Sequence, residues 1–448
     1  MQVKNVMKEN NWFHNKISQD PDCVKLGAIL LFCLFYRLFY FGFLHPGMVL
    51  YNSDSVSYFI PVDIFRGVVD LYRTPLYPYV IKFFECISKD NLVQNLIIFQ
   101  QAISFLSIIP FYFVSKSIVK NRYLIIIATL FYGLWHPIII QNVYINPECL
   151  CFAGSTLMLF ILVKYLDKPK KLTAVSLGIF PFFLIMLKPT YLILIFVVLL
   201  FLVFRFIFSR EERKILYWGL FGLFVSAAGV LGYCEINNRH NGQFVLSNIY
   251  LNNSLAHISY SGAYQYGQDE EFIAIIDTTR LKGYYTTPFT INNDFIDKYR
   301  DYNRRFPQYL PPTDDMLACL NMPDIPNYPP ERIKRFVMNS QFTTVYFNYM
   351  LNRVFDIVIG AYGNLFILFV LQSIIIIIAF VKYKKIAWAQ SFCILFVLGQ
   401  FFSIAIGGLD DIDRCLIPAY PFIIQIAASF LGILASSLSK EKFTESII

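Results

Sequence analysis

The feature that most constrains this chain is the recurrence of long apolar runs, each close to the roughly 20 residues an α-helix needs to cross a bilayer's hydrocarbon core. Ten such runs are read, at 26–44, 96–119, 123–140, 149–166, 172–187, 191–208, 215–233, 357–381, 386–406 and 416–438. Hydrocarbon offers no water to the backbone, so each run has to satisfy its own N–H and C=O groups as a helix. Of the 448 residues, 56% are hydrophobic and only 15% are charged, against about a quarter charged in soluble domains. The expected fold class is therefore an all-α integral membrane protein, with one polytopic domain of about ten helices. The formal net charge of +8 lies in short Lys and Arg clusters between the runs and builds no continuous basic face, so nucleic acid is not an expected partner. The nine cysteines fall mostly within or beside apolar runs without a CxxC pair, which disfavours disulfide and zinc frameworks. A long polar start and no small-residue cleavage site argue against a cleaved signal peptide.

The positive-inside rule orients the runs. With residues 1–25 cytoplasmic, one side receives Lys4, Lys8, Lys16 and Lys25, then Lys116, Lys120 and Arg122, then Lys164, Lys168, Lys170 and Lys171. It also receives Arg205, Arg210, Arg213, Lys214, Lys382, Lys384, Lys385, Lys440 and Lys442, whereas short loops on the other side hold only Lys188 and Arg414. An error of one span would scramble this alternation. The expected organisation is spans one to seven over 26–233, an outer segment over 234–356, spans eight to ten over 357–438, and a cytoplasmic end over 439–448. The first outer loop, 45–95, interleaves apolar residues with Asp63, Arg66, Asp70 and Lys82, a pattern for short amphipathic helices at the membrane surface. The outer segment is rich in Asn, Tyr, Asp and Pro, and its end reads as a helix approaching the eighth span. No internal repeat is visible.

Charge at a membrane boundary is costly and is by default a functional candidate. On this topology Asp54, Arg73, Glu148, Lys188 and the Asp410, Asp411, Asp413, Arg414 group all fall on the outer side, from four separate stretches. Asp54, in YNSDSVSYF, is either a general base toward a hydroxyl, its carboxylate partly desolvated, or the cap of a short surface helix. Asp63 is the next candidate base. Arg73 precedes two rigidifying prolines in RTPLYPYVIK and suits a phosphate, or else lipid headgroups. Tyr77 in the same stretch belongs to the site or to an aromatic belt. Glu148 opens the fourth span, where the helix dipole favours an acid. Lys188 is the single cation of a very short outer loop, against the charge rule, which calls for an anionic partner such as a phosphate or Glu148. Three carboxylates in GGLDDIDRCLIPAYPF could hold a divalent cation, but a short acidic turn before the tenth span is the preferred reading, and no metal or other cofactor is assigned.

Five stretches together resemble the polytopic GT-C glycosyltransferases that use polyprenyl-phosphate sugars, nearest to the protein O-mannosyltransferase and aminoarabinose transferase types. They are Asp54 in NSDSVSY, RTPLYPYVIK, PECLCFAGSTLML, LKPTYLILI and DRCLIPAYPFIIQIAA. The resemblance covers most of the membrane domain and none of residues 234–356. It implies an inverting transfer on the outer face from a lipid-linked donor to a lipid, saccharide or protein acceptor. Asp54 would be the base, Lys188 and Arg414 would contact the donor phosphate, and Arg73 and Glu148 would line the site. Cys415 departs from the family, where an aromatic often follows the Arg. Usage rich in Ile, Lys and Asn suggests a bacterial cell membrane of a low-GC organism, with undecaprenyl phosphate as carrier. Two other functions stay open at this point: a flippase or transporter of lipid-linked saccharides, expected to carry mid-membrane charges or a repeat, and a saccharide polymerase or ligase.

Overall fold

The computed structural model describes residues 21–50, 55–59, 63–64, 73–247, parts of 257–274, 340–361, 363–383, 386–407 and 412–438. Helix α1 spans Pro21–Leu38 and runs on into a π-helical turn, Phe39–Leu44. The amphipathic α2, Leu76–Ile87, follows, then α3, Leu92–Leu106, and α4, Ile108–Ile118. Next come α5, Arg122–Leu134, the short α6, His136–Gln141, α7, Glu148–Asp167, and α8, Lys171–Leu187. The later helices are α9, Ile193–Phe208, α10, Arg213–Asn241, α11, Ser340–Phe355, α12, Gly363–Tyr383, and α13, Trp388–Gly407. A five-residue helix, α14, Ile412–Leu416, leads into α15, Tyr420–Leu438. Nine of the described segments are long and apolar enough to cross a membrane, and Lys171–Leu187 is a further, shorter apolar helix. The expected all-α polytopic architecture of about ten helices is thus what the chain adopts.

Two expected spans are divided. The run over 96–119 breaks at Ser107, whose hydroxyl bonds the Ser104 carbonyl at 2.7 Å and the Tyr132 hydroxyl at 2.7 Å. The run over 123–140 breaks at Trp135, which takes an extended ψ of 107° ahead of Pro137. Pro137 lacks the N–H that would continue the ladder to the Gly133 carbonyl, and that carbonyl accepts from Arg37 instead. The amphipathic helix expected in the first outer loop is α2, which buries Tyr77, Pro78 and Ile81 and leaves Phe83 and Ile87 exposed. Likewise α11 is the helix expected ahead of the eighth span.

Close packing sets how near α8 and α10 approach. Helix α8 crosses α10 at Gly178, where an added Cβ would meet the Gly219 carbonyl oxygen at 2.3 Å, so no side chain fits. The Ser226 hydroxyl of α10 donates to the carbonyls of Gly178 and Ile179 at 2.7 and 3.0 Å. A helix of 17 residues is about 25 Å long at 1.5 Å per residue, a few ångströms less than the hydrocarbon core. Lys171 opens this helix and Lys188 follows its last residue.

At the opposite end, basic residues are tied by local pairs: Lys116 and Asp22 form an ion pair, and so do Arg205 and Glu212, which also accepts from the Tyr165 hydroxyl at 3.2 Å. Within the bundle the buried Arg37 of α1 donates to the carbonyls of Gln101 and Gly133 and to Ser104 Oγ, at 3.3, 3.4 and 3.2 Å. A guanidinium can remain charged there because carbonyl dipoles replace water.

Candidate active site

Glu148 is the first residue of α7, and Pro147 before it caps the helix without a side-chain acceptor. The Glu148 side chain is 2% exposed, and its Oε1 lies 3.0 Å from Lys188 Nζ and 3.6 Å from Arg414 Nε. Residues from α7, the end of α8 and α14 thereby share one oxygen. Lys188 and Arg414 are themselves only 11% and 14% exposed at the side chain. Burial alone would pull the Lys188 ammonium toward its neutral form, but Glu148 outweighs this and raises its pKa, so Lys188 is held as a cation. The formal charges of the three groups sum to +1 in a buried setting, where an anion is attracted more strongly than in water.

The positions of Lys188 and Glu148 are linked by Tyr191. Pro189 starts a 3-10 turn, Pro189–Leu192, and within it the Tyr191 hydroxyl donates to the Cys151 carbonyl at 2.8 Å and lies 2.7 Å from Ser155 Oγ. Both of those partners belong to the first two turns of α7. The ring also stacks on Phe396 of α13, centroids 6.2 Å apart. From α13, Gln400 Nε2 and Ser403 Oγ donate to the Thr190 carbonyl at 3.4 and 3.3 Å. A turn held from two sides gives Lys188 little freedom.

The approach from the first outer loop is set by a backbone bridge. Leu50 N donates to the Val143 carbonyl at 2.8 Å, and Ile145 N donates to the Leu50 carbonyl at 3.2 Å. The chain four residues before Asp54 is thus pinned to the loop three residues before Glu148. Asp54 itself lies outside the described residues, while Ser55 beside it is fully buried. Asp63, the second base candidate, is half-buried and pairs with Lys82 of α2 at 3.4 Å.

Arg73 is buried at 8% exposure, with its guanidinium 4.7 Å from the centre of the Tyr58 ring. Tyr58 in turn meets Tyr77 edge to face at 5.1 Å. The fully enclosed Tyr77 donates to Gln100 Oε1 at 2.7 Å, and burial raises its phenol pKa well above the ordinary value. Gln100 Nε2 then donates to the carbonyls of Asn142 and Tyr144, both at 2.9 Å. Arg73 and Tyr77 therefore connect, through one amide, to the loop that leads into Glu148. Both side chains are buried within the protein, Tyr77 completely.

Glu148, Lys188 and Arg414 come together; Tyr77 reaches the loop before Glu148 through Gln100, with Arg73 behind it on Tyr58; Asp63 is engaged by Lys82. Asp410 and Asp411 lie outside the described residues, and Asp413 belongs to α14. No group of three His, Cys, Asp or Glu side chains able to hold a metal occurs among the described residues. Gln100, Tyr58, Tyr191 and Gln400 were missed from sequence. The available signal was an amide inside an apolar run, as in LIIFQQAIS, since a buried amide without a partner is costly.

No family model and no curated protein matches this chain. Among solved structures it is similar to the archaeal oligosaccharyltransferase AglB from Archaeoglobus fulgidus in complex with an inhibitory peptide and a dolichol-phosphate. That match has 12% identity, 93% coverage of this chain, 51% of that chain and a TM-score of 0.46. A second is the Archaeoglobus fulgidus oligosaccharyltransferase complex with Zn and sulfate, at 12% identity, 94% and 50% coverage and a TM-score of 0.46. The chain spans about half the length of these solved chains.

Proposed function

We propose that this chain is a membrane glycosyltransferase of the GT-C type, transferring a sugar from a polyprenyl-phosphate donor to a lipid, saccharide or protein acceptor on the outer membrane face. The observation that carries the reading is the buried cluster in which Lys188 and Arg414 share Glu148, beside the bridged segment that leads to Asp54. A lipid-linked phosphate is an anion that already resides at the boundary, and it matches a cationic site reachable from the bilayer.

In this reading the acceptor hydroxyl loses its proton to Asp54 as its oxygen bonds to the anomeric carbon. The bond from that carbon to the phosphate oxygen breaks on the opposite side, which inverts the configuration, and polyprenyl phosphate leaves with the electron pair. Lys188 and Arg414 bind the phosphate, which is anionic before the bond breaks as well as after it, and so hold the donor in place for the transfer. Glu148 holds the two cations at one spacing before the donor arrives. Arg73 and Tyr77 set the wall of the loop before Glu148.

The test is transfer by purified protein in nanodiscs, offered polyprenyl-phosphate sugars. Asp54→Asn keeps shape and can still cap a helix, but it cannot take the proton, so transfer should fall about 10²- to 10⁴-fold with donor binding retained. Transfer at the wild-type rate by this variant would remove Asp54 as base.

A further inference from the structure

The loop 142–148 holds three buried acceptors that meet no donor among the described residues: Asn142 Oδ1, Asn146 Oδ1 and Glu148 Oε2. Asn142 and Asn146 are fully buried and Glu148 nearly so. Their other polar atoms are engaged, Asn142 Nδ2 with Gln101 Oε1 at 3.2 Å, Asn146 Nδ2 with Gln141 Oε1 at 2.9 Å, and Glu148 Oε1 with Lys188. Those bonds orient each side chain and leave one oxygen over. Buried acceptors in native proteins nearly always find a donor, so a run of three on one short loop calls for donors brought from outside.

The chemistry of such a ligand follows from the surroundings. Asn146 is two residues from Glu148, so their Cα atoms are within about 7 Å even if the chain is fully extended, and Glu148 touches Lys188. A group that donates several hydrogen bonds close to a phosphate held by Lys188 is a polyhydroxylated ring joined directly to that phosphate. Resting on the glycosyltransferase reading, we propose that Asn146, with Glu148 Oε2 beside it, reads hydroxyl groups of the donor's sugar and is a specificity-determining residue. Its carboxamide oxygen accepts from one ring hydroxyl, and no covalent change occurs there.

The experiment compares equilibrium binding of bare polyprenyl phosphate and of a polyprenyl-phosphate hexose to the full-length protein in nanodiscs, without acceptor. Asn146→Ala should leave the bare lipid phosphate within about twofold of wild type and weaken the glycoside about tenfold, the scale of one lost hydrogen bond. Equal weakening of both ligands, or of neither, overturns the subsite while leaving the transferase reading intact. A wild-type protein that binds neither ligand overturns both readings together. If Asn146→Ala does not fold, a series of singly deoxygenated donors on the wild type decides: one position should lose about tenfold in binding, and equal binding of all of them overturns the proposal.

Discussion

At the scale of single residues, the energetic weight of the site rests on Glu148. Removing its charge leaves Lys188 and Arg414 facing each other in a buried setting without the carboxylate they share. Breaking a buried ion pair from one side costs about 3–5 kcal/mol, because an uncompensated charge remains. Glu148→Gln is therefore expected to lower the unfolding temperature in detergent, and Lys188→Met in the same chain should restore part of the loss; a double variant less stable than the single one would refute the coupling. Lys188→Ala tests the other role. A cation that meets the phosphate in the ground state contributes mostly uniform binding, so donor KM should rise more than kcat falls. An unchanged donor KM would count against contact with the phosphate. The pairing of Lys188 with Glu148 was partly legible in the chain itself, since a lone lysine in a very short outer loop implies an anion nearby. Tyr77 was not: its burial depends on Tyr58 and on Gln100 of α3, and no local pattern reports such a contact.

Among elements, the 3-10 turn after α8 carries more of the site's geometry than its four residues suggest. Tyr191 fastens this turn to α7 through the Cys151 carbonyl and Ser155 Oγ. Tyr191→Phe removes both bonds and leaves the Cys151 carbonyl with one acceptor interaction fewer, at a cost of about 1–3 kcal/mol. The ring would keep its stack on Phe396, so the fold should persist while Lys188 gains freedom relative to Glu148. We expect a lower unfolding temperature together with a several-fold loss of kcat/KM, rescued by neither higher donor concentration nor lower salt. Full activity in Tyr191→Phe would show that the turn is set by α13 alone. The element boundaries themselves were only partly readable. Pro137 marks the break before α6 in the sequence, but the break at Ser107 has no proline and depends on Tyr132 of a neighbouring helix.

For the whole molecule, the topology expected from the ten apolar runs makes a labelling prediction. The exposed Asp90, between α2 and α3, and the exposed Lys168, between α7 and α8, should lie on opposite sides of the membrane. In a chain with Cys23, Cys86, Cys319 and Cys415 replaced by Ser, Asp90→Cys should react with an impermeant maleimide on intact cells. Lys168→Cys should react only after permeabilisation; labelling of both on intact cells would sink the topology. The all-α polytopic class, the approximate spans and the clustering of basic residues were determined by the sequence on its own, because hydrocarbon acts on each run of about 20 residues independently. What only the tertiary structure decided is which polar groups meet. Glu148, Lys188 and Arg414 converge because Gly178 lets α8 approach α10, Tyr191 ties the end of α8 to α7, and α14 is packed against α13. The bridge of Leu50 to Val143 and Ile145 is likewise long-range. Contacts of this kind depend on how closely distant helices can pack, which no local window of the chain records.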